Sequence, residues 1–474
     1  MQFNIDGATM PHTPNEELWP ILCQIIDGNT RPFAVAVYLG RRKPSSIAEY
    51  LQDFIEELRR LLHSGIVINR RKHEIRLHSF ICDAPARAML KCIKYHSGYY
   101  SCERCTIRGE MVKSTMVFIT DGNEELRNDN DFSRFAYSGR DDQNIRQHQL
   151  SQSPLAHLIP CVSRFVLDSM HIAYIGVMKR LIQFWKDSPS FRGCQLSNQQ
   201  QEIVNSKLRA LRGKLPSEFA RQPSAFDTLD NWKATDYRAF ALYIGPFVMK
   251  EVLSEEHFKH FVAFSVGLYI LNDENSENRT RFLEYASKLI EYFIDDSEKL
   301  YSSAFVTYNV HALSHLQQDV KYFNCSLSKM TAFPFESFLS YVKDRIRSAR
   351  RPIVQIVNRL KELDHIKHVP MKTKSPITIS TKLADSCFFI SNSTIAVVVE
   401  CTQNESIVKK IPIDQLEDCF DCGIPSTKLK IGSITSSVLL RAKKAKISNA
   451  MLVHKAIILP QESGYCIWPL LHNE

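Results

Sequence analysis

The spacing of apolar residues changes twice along this chain, and each change marks a different kind of structure. Short apolar runs rich in β-branched and aromatic residues fill the first third, among them residues 19–26 (WPILCQII) and 33–39 (FAVAVYL). From about residue 165 to residue 310 apolar residues recur at helical spacing, and after Lys372 short β-rich runs return. Because strands and helices need different periods, the pattern predicts an α/β core, interrupted by a large α-helical insertion and followed by a small β-rich C-terminal domain.

Local signals divide the first third into elements. Strands are predicted at residues 3–6, 19–26, 33–39 and 74–83. Asp27-Gly28-Asn29 is a hairpin signal between the second and third of them. One helix is expected to begin after Ser46 and stop at Gly65, and another to cover residues 84–94.

The later segments carry signals of the same kind. Helices are predicted at residues 167–185, 198–211, 232–253, 282–293 and 335–347. The last of them places Phe335, Leu339, Val342 and Ile346 on one face, so it must pack on something apolar. Strands are predicted at 393–401 and 451–459, with the basic stretch 441–446 (RAKKAK) between them.

Composition narrows the class of protein. The chain has 474 residues, 44% of them hydrophobic, which is typical of a folded protein rather than a disordered one. Its net charge of +9 is compatible with a polyanionic partner. No apolar run approaches the ~18 residues that span a bilayer, so no membrane is expected as a partner. Thirteen scattered cysteines suit reduced thiols in the cytosol or nucleus.

Three acidic residues stand where an active site could use them. Asp6 (FNIDG) and Asp83 (FICDAP) end apolar strands, and Glu336 lies in the first turn of the late helix. Taken singly, such aspartates are more often caps or turn residues, and such a glutamate more often interacts only with the helix dipole. Together, their hard oxygen ligands could hold two Mg²⁺ or Mn²⁺ ions for phosphodiester chemistry.

Cysteines and histidines form a second candidate site. Cys102 and Cys105 make a C-x-x-C pair, and His311 and His315 are spaced to share one side of a helix. Each pair has zinc-ligand spacing, so the four predict a closed structural Zn²⁺ site. The alternatives are a redox or inert cysteine pair and a polar helix face. A competing partner for Cys102 and Cys105, in place of the histidines, is the second C-x-x-C pair, Cys419 and Cys422, which is less favoured because it lies in a polar loop of a different domain.

Several ordered motifs resemble the transposases of CACTA (En/Spm-type) DNA elements, which belong to the DDE/D superfamily. The similarity covers roughly residues 1–365 and includes FNIDG, FICDAPARAMLKCIKYHSGYYSCERC, FVLDSMHIAYIGVMKRL, YNVHALSHLQQDV and FPFESFLSYVKDRIR. The resemblance implies an RNase H-like mixed sheet whose acidic triad is split by the helical insertion. It assigns the triad to Asp6, Asp83 and Glu336, and matches Asp168 and His171 (LDSMH) to a D-x-x-H motif. Without the resemblance, these last two read as a helix N-terminal acid and a core histidine.

The chain is also similar, more distantly, to the catalytic subunit of the V(D)J recombinase. That protein has a C-x-x-C after its second acid and two histidines before its third. Here Cys102 lies 19 residues after Asp83, while His311 and His315 precede Glu336 by 25 and 21. This order supports the zinc prediction.

The resemblance therefore predicts metal-dependent DNA cleavage and strand transfer in the nucleus, by a homo-oligomer acting on transposon ends and target DNA. Phosphate contacts are expected from two basic groups of residues: Lys343, Arg345, Arg347, Arg350 and Arg351 near the late helix, and Arg41, Arg42 and Lys43 before the first long helix. His171 is expected either to contact the distorted DNA strand or to support the site by packing.

The predicted divisions are the first part of the core with the C-x-x-C pair (1–105), the insertion (106–310), the closing part with the histidine pair and Glu336 (311–370), and the C-terminal domain (371–474). Only five residues precede Asp6, so the chain is expected to be a truncated transposase. Two other classes remain open: a domesticated, inactive binding protein, and a zinc-stabilised helical scaffold in which the three acids do not converge.

Overall fold

A computed structural model describes residues 1–10, 13–26, 30–120, 122, 124–139, 147–187, 193–365 and 377–471. The chain is mixed α/β and divides into two compact units. The first unit comprises Met1–Val177 and Ser297–Val369, and the second comprises Met178–Asp296 and Pro370–Glu474. Within the described ranges no helix is long and apolar enough to cross a membrane. The hairpin signal at Asp27-Gly28-Asn29 lies outside the described residues.

The first unit begins with strands and two helices. In chain order they are β1 (Gln2–Ile5), β2 (Ala8–Met10), β3 (Thr13–Gln24), β4 (Phe33–Gly40), α1 (Ile47–Ser64), β5 (Ile66–Ile68), β6 (Arg71–His73), β7 (Ser79–Cys82) and α2 (Ala84–Lys91). The hairpin of β8 (Glu110–Val112) and β9 (Thr115–Val117), helix α3 (Asp129–Ser133) and strand β10 (Phe165–Leu167) follow.

The main sheet of this unit is mixed, with the strand order β10-β7-β1-β3-β2 and with β4 also paired to β3. Strands β1, β3 and β4 pair antiparallel, whereas β1, β7 and β10 pair parallel. Phe80 pairs with Phe3 on one side and Phe165 on the other, and its ring stacks on theirs at centroid distances of 5.4 and 4.8 Å. The three parallel strands therefore end together at one edge of the sheet.

The structure confirms the predicted limits of helix α1. The Ser46 side chain accepts a hydrogen bond from the Glu49 amide, which satisfies one of the free N–H groups of the first turn. Gly65 ends the helix with φ of +67°, where a Cβ atom would lie 2.3 Å from the His73 carbonyl oxygen. The buried face packs on the sheet, with the Phe54 ring 5.1 Å from that of Phe3.

Near the parallel strands, two predicted elements differ from the structure. The strand expected at 74–83 is confined to β7, and before it Glu74 and Arg76 are exposed and pair with each other. The helix expected at 167–185 starts after β10 instead and begins as a π-helix, Met170–Met178. Strand β10 is buried throughout, as is usual in parallel sheets, and so lacks the alternation that identifies a strand from sequence.

Six helices follow, and they lie in the second unit except for the last residues of the sixth. They are α4 (Lys179–Asp187), α5 (Asn198–Ala210), α6 (Ala234–Ala239), α7 (Gly245–Met249), α8 (Glu255–Asn272) and α9 (Ser276–Leu300). The single helix predicted at 232–253 is divided into α6, a π-helical turn (Phe240–Ile244) and α7. Pro246, which lacks an N–H group, falls at this division.

The chain then returns to the first unit through α10 (Tyr308–Ala312), α11 (Leu316–Phe323), α12 (Phe333–Lys343) and α13 (Pro352–His365). Helix α12 ends at Lys343, four residues before the predicted limit. Its face of Phe335, Leu339, Val342 and, just beyond it, Ile346 is buried as predicted. Leu339, Val342 and Ile346 share an apolar cluster with residues of β2 and β3.

The C-terminal part of the second unit is an antiparallel β-rich region. Its elements are β11 (Cys387–Ser391), β12 (Thr394–Cys401), β13 (Glu405–Pro412), β14 (Gly432–Thr435), α14 (Ser436–Arg441), β15 (Lys443–Ser448), β16 (His454–Pro460) and β17 (Gly464–Pro469). They form a sheet in the order β14-β17-β16-β11-β12-β13-β15. The predicted strand at 393–401 matches β12, and that at 451–459 begins three residues later, as β16.

Candidate acidic site and metal centre

Three aspartates follow the three parallel strands of the first unit at the same level. Asp6, Asp83 and Asp168 each lie three residues beyond Phe3, Phe80 and Phe165, the phenylalanines that pair across the sheet. The Ile5 amide donates to the Cys82 sulfur at 3.4 Å, which ties β1 to β7 just before the first two acids. The carboxyl ends of parallel strands are where open α/β sheets bind ligands.

The pKa of the Asp6 carboxyl group is raised by its surroundings, including two other acids. Partial burial raises the pKa of its carboxyl group, and the negative charges of Asp83 and Glu336 raise that pKa further. A hydrogen bond shared between Asp6 and Glu336 acts in the same direction, whereas the charge of His171 opposes it. Asp83 and Glu336 therefore both lie close enough to Asp6 to act on its carboxyl group, although about 250 residues separate Asp83 from Glu336 along the chain.

Asp83 has two roles in this geometry. Its side chain caps α2 by accepting a 2.7 Å hydrogen bond from the Ala86 amide, as the local interpretation of a strand-terminal aspartate predicts. Its charge also acts on Asp6 and His171. Asp83 is thus both the N-cap of α2 and a neighbour of Asp6 whose charge acts on it.

Asp168 is fully buried and connects the sheet to the helix that carries Glu336. One carboxylate oxygen accepts a 2.9 Å hydrogen bond from the Ala332 amide, and the other accepts a 2.6 Å bond from His171 Nδ1. Ala332 precedes α12, and its carbonyl oxygen in turn accepts the Glu336 amide at 2.9 Å. Asp168 thereby fixes the start of α12 with respect to β10.

His171 is held as a cation beside the acids. Burial lowers the pKa of its imidazole, but the hydrogen bond to Asp168, the charge of Asp168 and the charges of Asp6 and Asp83 outweigh burial and raise it to about 9. About a quarter of the side chain, 27%, is exposed, so His171 stands at the surface of the site while Asp168 lies beneath it.

The predicted cysteine and histidine ligands meet at one buried point. Cys102 Sγ lies 3.5 Å from His315 Nε2, Cys105 Sγ lies 3.3 Å from His311 Nε2, and the two sulfur atoms are 3.5 Å apart. The two Nε2 atoms are 3.2 Å apart, and all four ligand atoms lie within 4.8 Å of one another. The group could hold a metal ion such as zinc.

These separations fit a tetrahedral zinc ion. Zn–S bonds of ~2.3 Å and Zn–N bonds of ~2.0 Å imply edges of ~3.8 Å between sulfurs, ~3.5 Å between sulfur and nitrogen and ~3.3 Å between nitrogens. Although burial opposes it, the hydrogen bond from Cys105 and the nearby His311 and His315 lower the pKa of the Cys102 thiol well below its usual range. The histidines are buried, so they are not a polar helix face.

The two residues inside the C-x-x-C turn anchor it to the acid-bearing elements. Buried Glu103 accepts hydrogen bonds from Arg87 Nε and Lys91 Nζ on α2, both at 2.8 Å, and from the Tyr308 hydroxyl at 2.8 Å. Arg87 also donates to the Cys82 carbonyl oxygen at 2.6 Å, next to Asp83. The C-x-x-C turn is thus bonded to α2, which follows Asp83, and through Arg87 to Cys82, which precedes Asp83.

Arg104 makes the matching connection to β10. Its guanidinium donates to the carbonyl oxygens of Val162 and Phe165 at 2.6 and 2.8 Å and to the Asp319 carboxylate at 2.6 Å. The second oxygen of Asp319 accepts the Leu167 amide at 2.8 Å, one residue before Asp168. Sequence reasoning missed this network, although charged residues between two metal-ligand cysteines were the available signal.

All but one of the predicted basic residues are exposed on the first unit. Arg41, Arg42 and Lys43 are exposed between β4 and α1, and Lys43 Nζ lies 4.8 Å from the centre of the Tyr95 ring. Lys343 is partly buried at the end of α12. The remaining four, Arg345, Arg347, Arg350 and Arg351, are exposed in the turn before α13. Gln355 organises that turn, since its side chain bonds the backbone of Arg347 and Arg350.

The alternative cysteine pair lies elsewhere. Cys419 and Cys422 belong to the second unit, and the sulfur of Cys419 lies 3.4 Å from that of Cys466. Within the described residues, Cys102, Cys105, His311 and His315 are the only set of three or more histidine, cysteine and acidic ligands whose ligand atoms all lie within 4.8 Å of one another.

No protein-family model matches this chain, and a search of curated proteins finds no significant match either. The geometry of the two sites accordingly carries the functional argument.

Proposed function

We propose that the first unit is the catalytic core of a DDE/D transposase of the CACTA class, which cleaves DNA and transfers strands with the help of divalent metal ions. One observation supports the proposal: Asp83, which follows a parallel strand beside that of Asp6, and Glu336 on α12 both raise the pKa of the Asp6 carboxyl group, so both lie near it. A scaffold without a catalytic role has no reason to concentrate three carboxyl groups that repel one another.

The mixed sheet supports an RNase H-like assignment. The resemblance implies a sheet that carries the first two acids, with a helical insertion before the third. Asp6 follows β1, Asp83 follows the parallel neighbour β7, and Glu336 arrives on α12 after the helices of the second unit. The strand order and the position of the insertion agree with this arrangement.

The donor set fits Mg²⁺ or Mn²⁺. Carboxylate oxygens are the ligands that these hard cations prefer, and the mutual repulsion expressed in the raised Asp6 pKa would be relieved by a cation. Divalent ions bound there would activate the attacking oxygen and stabilise the leaving oxygen of a phosphodiester. Asp6, Asp83 and Glu336 are the residues that would hold them.

The remaining polar residues position these ligands. Asp168 holds the start of α12, which sets the height of Glu336 above the sheet. His171, cationic near neutral pH, stands beside Asp6 and Asp83 and would attract the phosphate of a DNA strand. Asp168 is fully buried, whereas Asp6, Asp83 and Glu336 are each partly exposed and could be reached by metal ions and substrate.

Zinc at Cys102, Cys105, His311 and His315 would have a structural role. Glu103 and Arg104 join the zinc turn to α2 and β10, the segments that flank Asp83 and Asp168. The two histidines lie on the segment that leads to α12. A closed metal site at this point would keep the strands and α12 in register despite the long insertion.

The basic residues 41–43 and 343–351 are proposed as phosphate contacts, and the protein is proposed to act in the nucleus as a homo-oligomer on transposon ends and target DNA. Phosphate contacts position a duplex and carry no sequence information. Recognition of particular element ends would need other residues.

The test is cleavage of nicked and hairpin DNA by the purified chain with Mn²⁺ or Mg²⁺. Asp83→Asn should abolish cleavage, because it removes a metal ligand, yet should preserve the fold, because asparagine is an equally good helix cap. Asp53→Asn on the exposed face of α1 removes the same charge away from the site and should cleave normally.

Two results would overturn the proposal. One is cleavage that survives Asp83→Asn, which would assign the activity to a contaminant or another site. The other is a wild-type chain that binds zinc and DNA but never cleaves either substrate with either metal, which would favour an inactive, transposase-derived binding protein.

A further inference from the structure

Two neighbouring strands of the C-terminal sheet place lysines directly opposite one another. In the β13 and β15 pair, Lys409 faces Lys444 and Lys410 faces Lys443. Like charges in directly opposed positions of an antiparallel pair repel each other across a short distance. The fold therefore accepts an unfavourable arrangement at this point of the sheet.

Little of this charge is neutralised by the protein. Lys446 pairs with Glu405 at 2.6 Å, and Lys409 Nζ donates to the Leu439 carbonyl oxygen. Among the described residues, Lys410, Lys443 and Lys444 have no acidic partner, and the last two are exposed. The sheet thus presents net positive charge to solvent along its β15 side.

Protection of an edge strand explains only part of this pattern. Strand β15 is the last strand of the sheet, and lysines on such a strand discourage pairing with other chains. Strand β13, however, pairs with β12 on one side and β15 on the other, so it needs no protection. Lys409 and Lys410 add charge where edge protection gives no benefit.

The alternation of side chains distributes the charge around the edge. Successive residues of a strand point to opposite faces, so the Lys409 and Lys444 pair lies on one face and the Lys410 and Lys443 pair on the other. We call these four residues the basic edge. A polyanion that runs along β15 could contact lysines from both faces at once.

We infer that the basic edge binds the phosphate backbone of duplex DNA. The choice of DNA among polyanions rests on the proposed function, while the existence of an anion-binding edge rests on the lysine pairs alone. No base-reading role is implied, because lysine ammonium groups contact phosphates without discriminating sequence. Such binding is expected to weaken steeply with salt, as phosphate-bound counterions are released when the complex forms.

The experiment measures the affinity of the full chain for a fluorescein-labelled duplex of arbitrary sequence by anisotropy, over a range of salt concentrations. Each lysine that neutralises a phosphate contributes ~0.9 to the slope of log affinity against log salt. The variant Lys443→Gln with Lys444→Gln should therefore reduce the slope by ~1.8 and bind more weakly at every salt concentration.

A matched control removes the same charge elsewhere in the second unit. Lys259 and Lys288 are exposed on α8 and α9, and each is paired with a glutamate four residues earlier. Lys259→Gln with Lys288→Gln should leave the slope unchanged. The basic-edge variant should also melt no earlier than the wild type, because it removes the repulsion from Lys410 and Lys409.

The outcomes separate this inference from the proposed function. A basic-edge variant with an unchanged slope overturns the inference, and so does a wild-type chain that binds poly-glutamate but not DNA, which would indicate an acidic protein partner. Asp83→Asn should keep the full slope while losing cleavage. If Asp83→Asn keeps both the salt slope and the cleavage activity, the proposed function is refuted, while DNA binding by the basic edge is still supported.

Discussion

Replacing Asp168 by asparagine removes one buried charge while keeping the shape of the side chain. The remaining oxygen can still accept the Ala332 amide, but the ion pair with His171 is lost. Raising the His171 pKa from its ordinary 6.5 to about 9 corresponds to about 3 kcal/mol in favour of the protonated imidazole. Most of this is expected to come from Asp168, and the remainder from Asp6 and Asp83.

The expected effect has a definite pH window. Because the folded-state pKa of His171 is the higher one, the stabilisation is fully present below pH ~6.5 and is lost as the pH rises through about 9. A double-mutant cycle of Asp168→Asn and His171→Gln should thus give a coupling energy of about 2–3 kcal/mol at pH 6. The coupling should become small above pH ~9.5.

The assay is urea unfolding of the four proteins at several pH values, in buffers without Mg²⁺ or Mn²⁺ so that no cation competes at the acids. Nuclear magnetic resonance of the imidazole protons gives the His171 pKa independently. The reasoning is refuted if the wild-type His171 titrates near its ordinary value, or if the coupling energy does not depend on pH.

Two further predictions concern the zinc turn. Glu103→Gln leaves Arg87 and Lys91 buried without a counter-charge and should lower the unfolding free energy by about 3–5 kcal/mol. Glu74→Gln, which breaks an exposed ion pair, should have no measurable effect. Equal stabilities of the two variants would contradict the role of the buried network. Cys105→Ser should remove the bound zinc, measured by mass spectrometry of the purified protein, and lower the melting temperature, because one of four ligands is lost. Cys422→Ser should retain the bound zinc and the melting temperature of the wild type. Loss of zinc from Cys422→Ser, with zinc retained in Cys105→Ser, would refute the assignment.

Local chemistry made part of the fold predictable. The limits of α1 follow from Ser46 and Gly65, whose caps act within one turn of the chain. The buried face of α12 likewise follows from the spacing of its apolar residues. Strand β10 was not predictable in this way, because three apolar residues in a parallel sheet have the same pattern as the start of a buried helix.

The candidate sites, too, could be predicted only in part from local sequence. The C-x-x-C and H-x-x-x-H spacings predict two ligand pairs, because each pair lies within a single turn. The polar loop around Cys419 and Cys422 makes them a less favoured partner for Cys102 and Cys105 than the histidines, but no local pattern decides between the two pairs, since both have zinc-ligand spacing. The fold decides this by placing Cys102 beside His315 across more than 200 residues.

The sequence alone determined the elements, the residue types with metal-binding chemistry and the basic composition, because these depend on neighbours along the chain. Only the tertiary structure decided that Asp83 and Glu336 lie near Asp6, that Asp168 is fully buried and holds the start of α12, and that four lysines face one another on β13 and β15. Strand register and helix docking are set by packing between distant segments, and no local pattern records them.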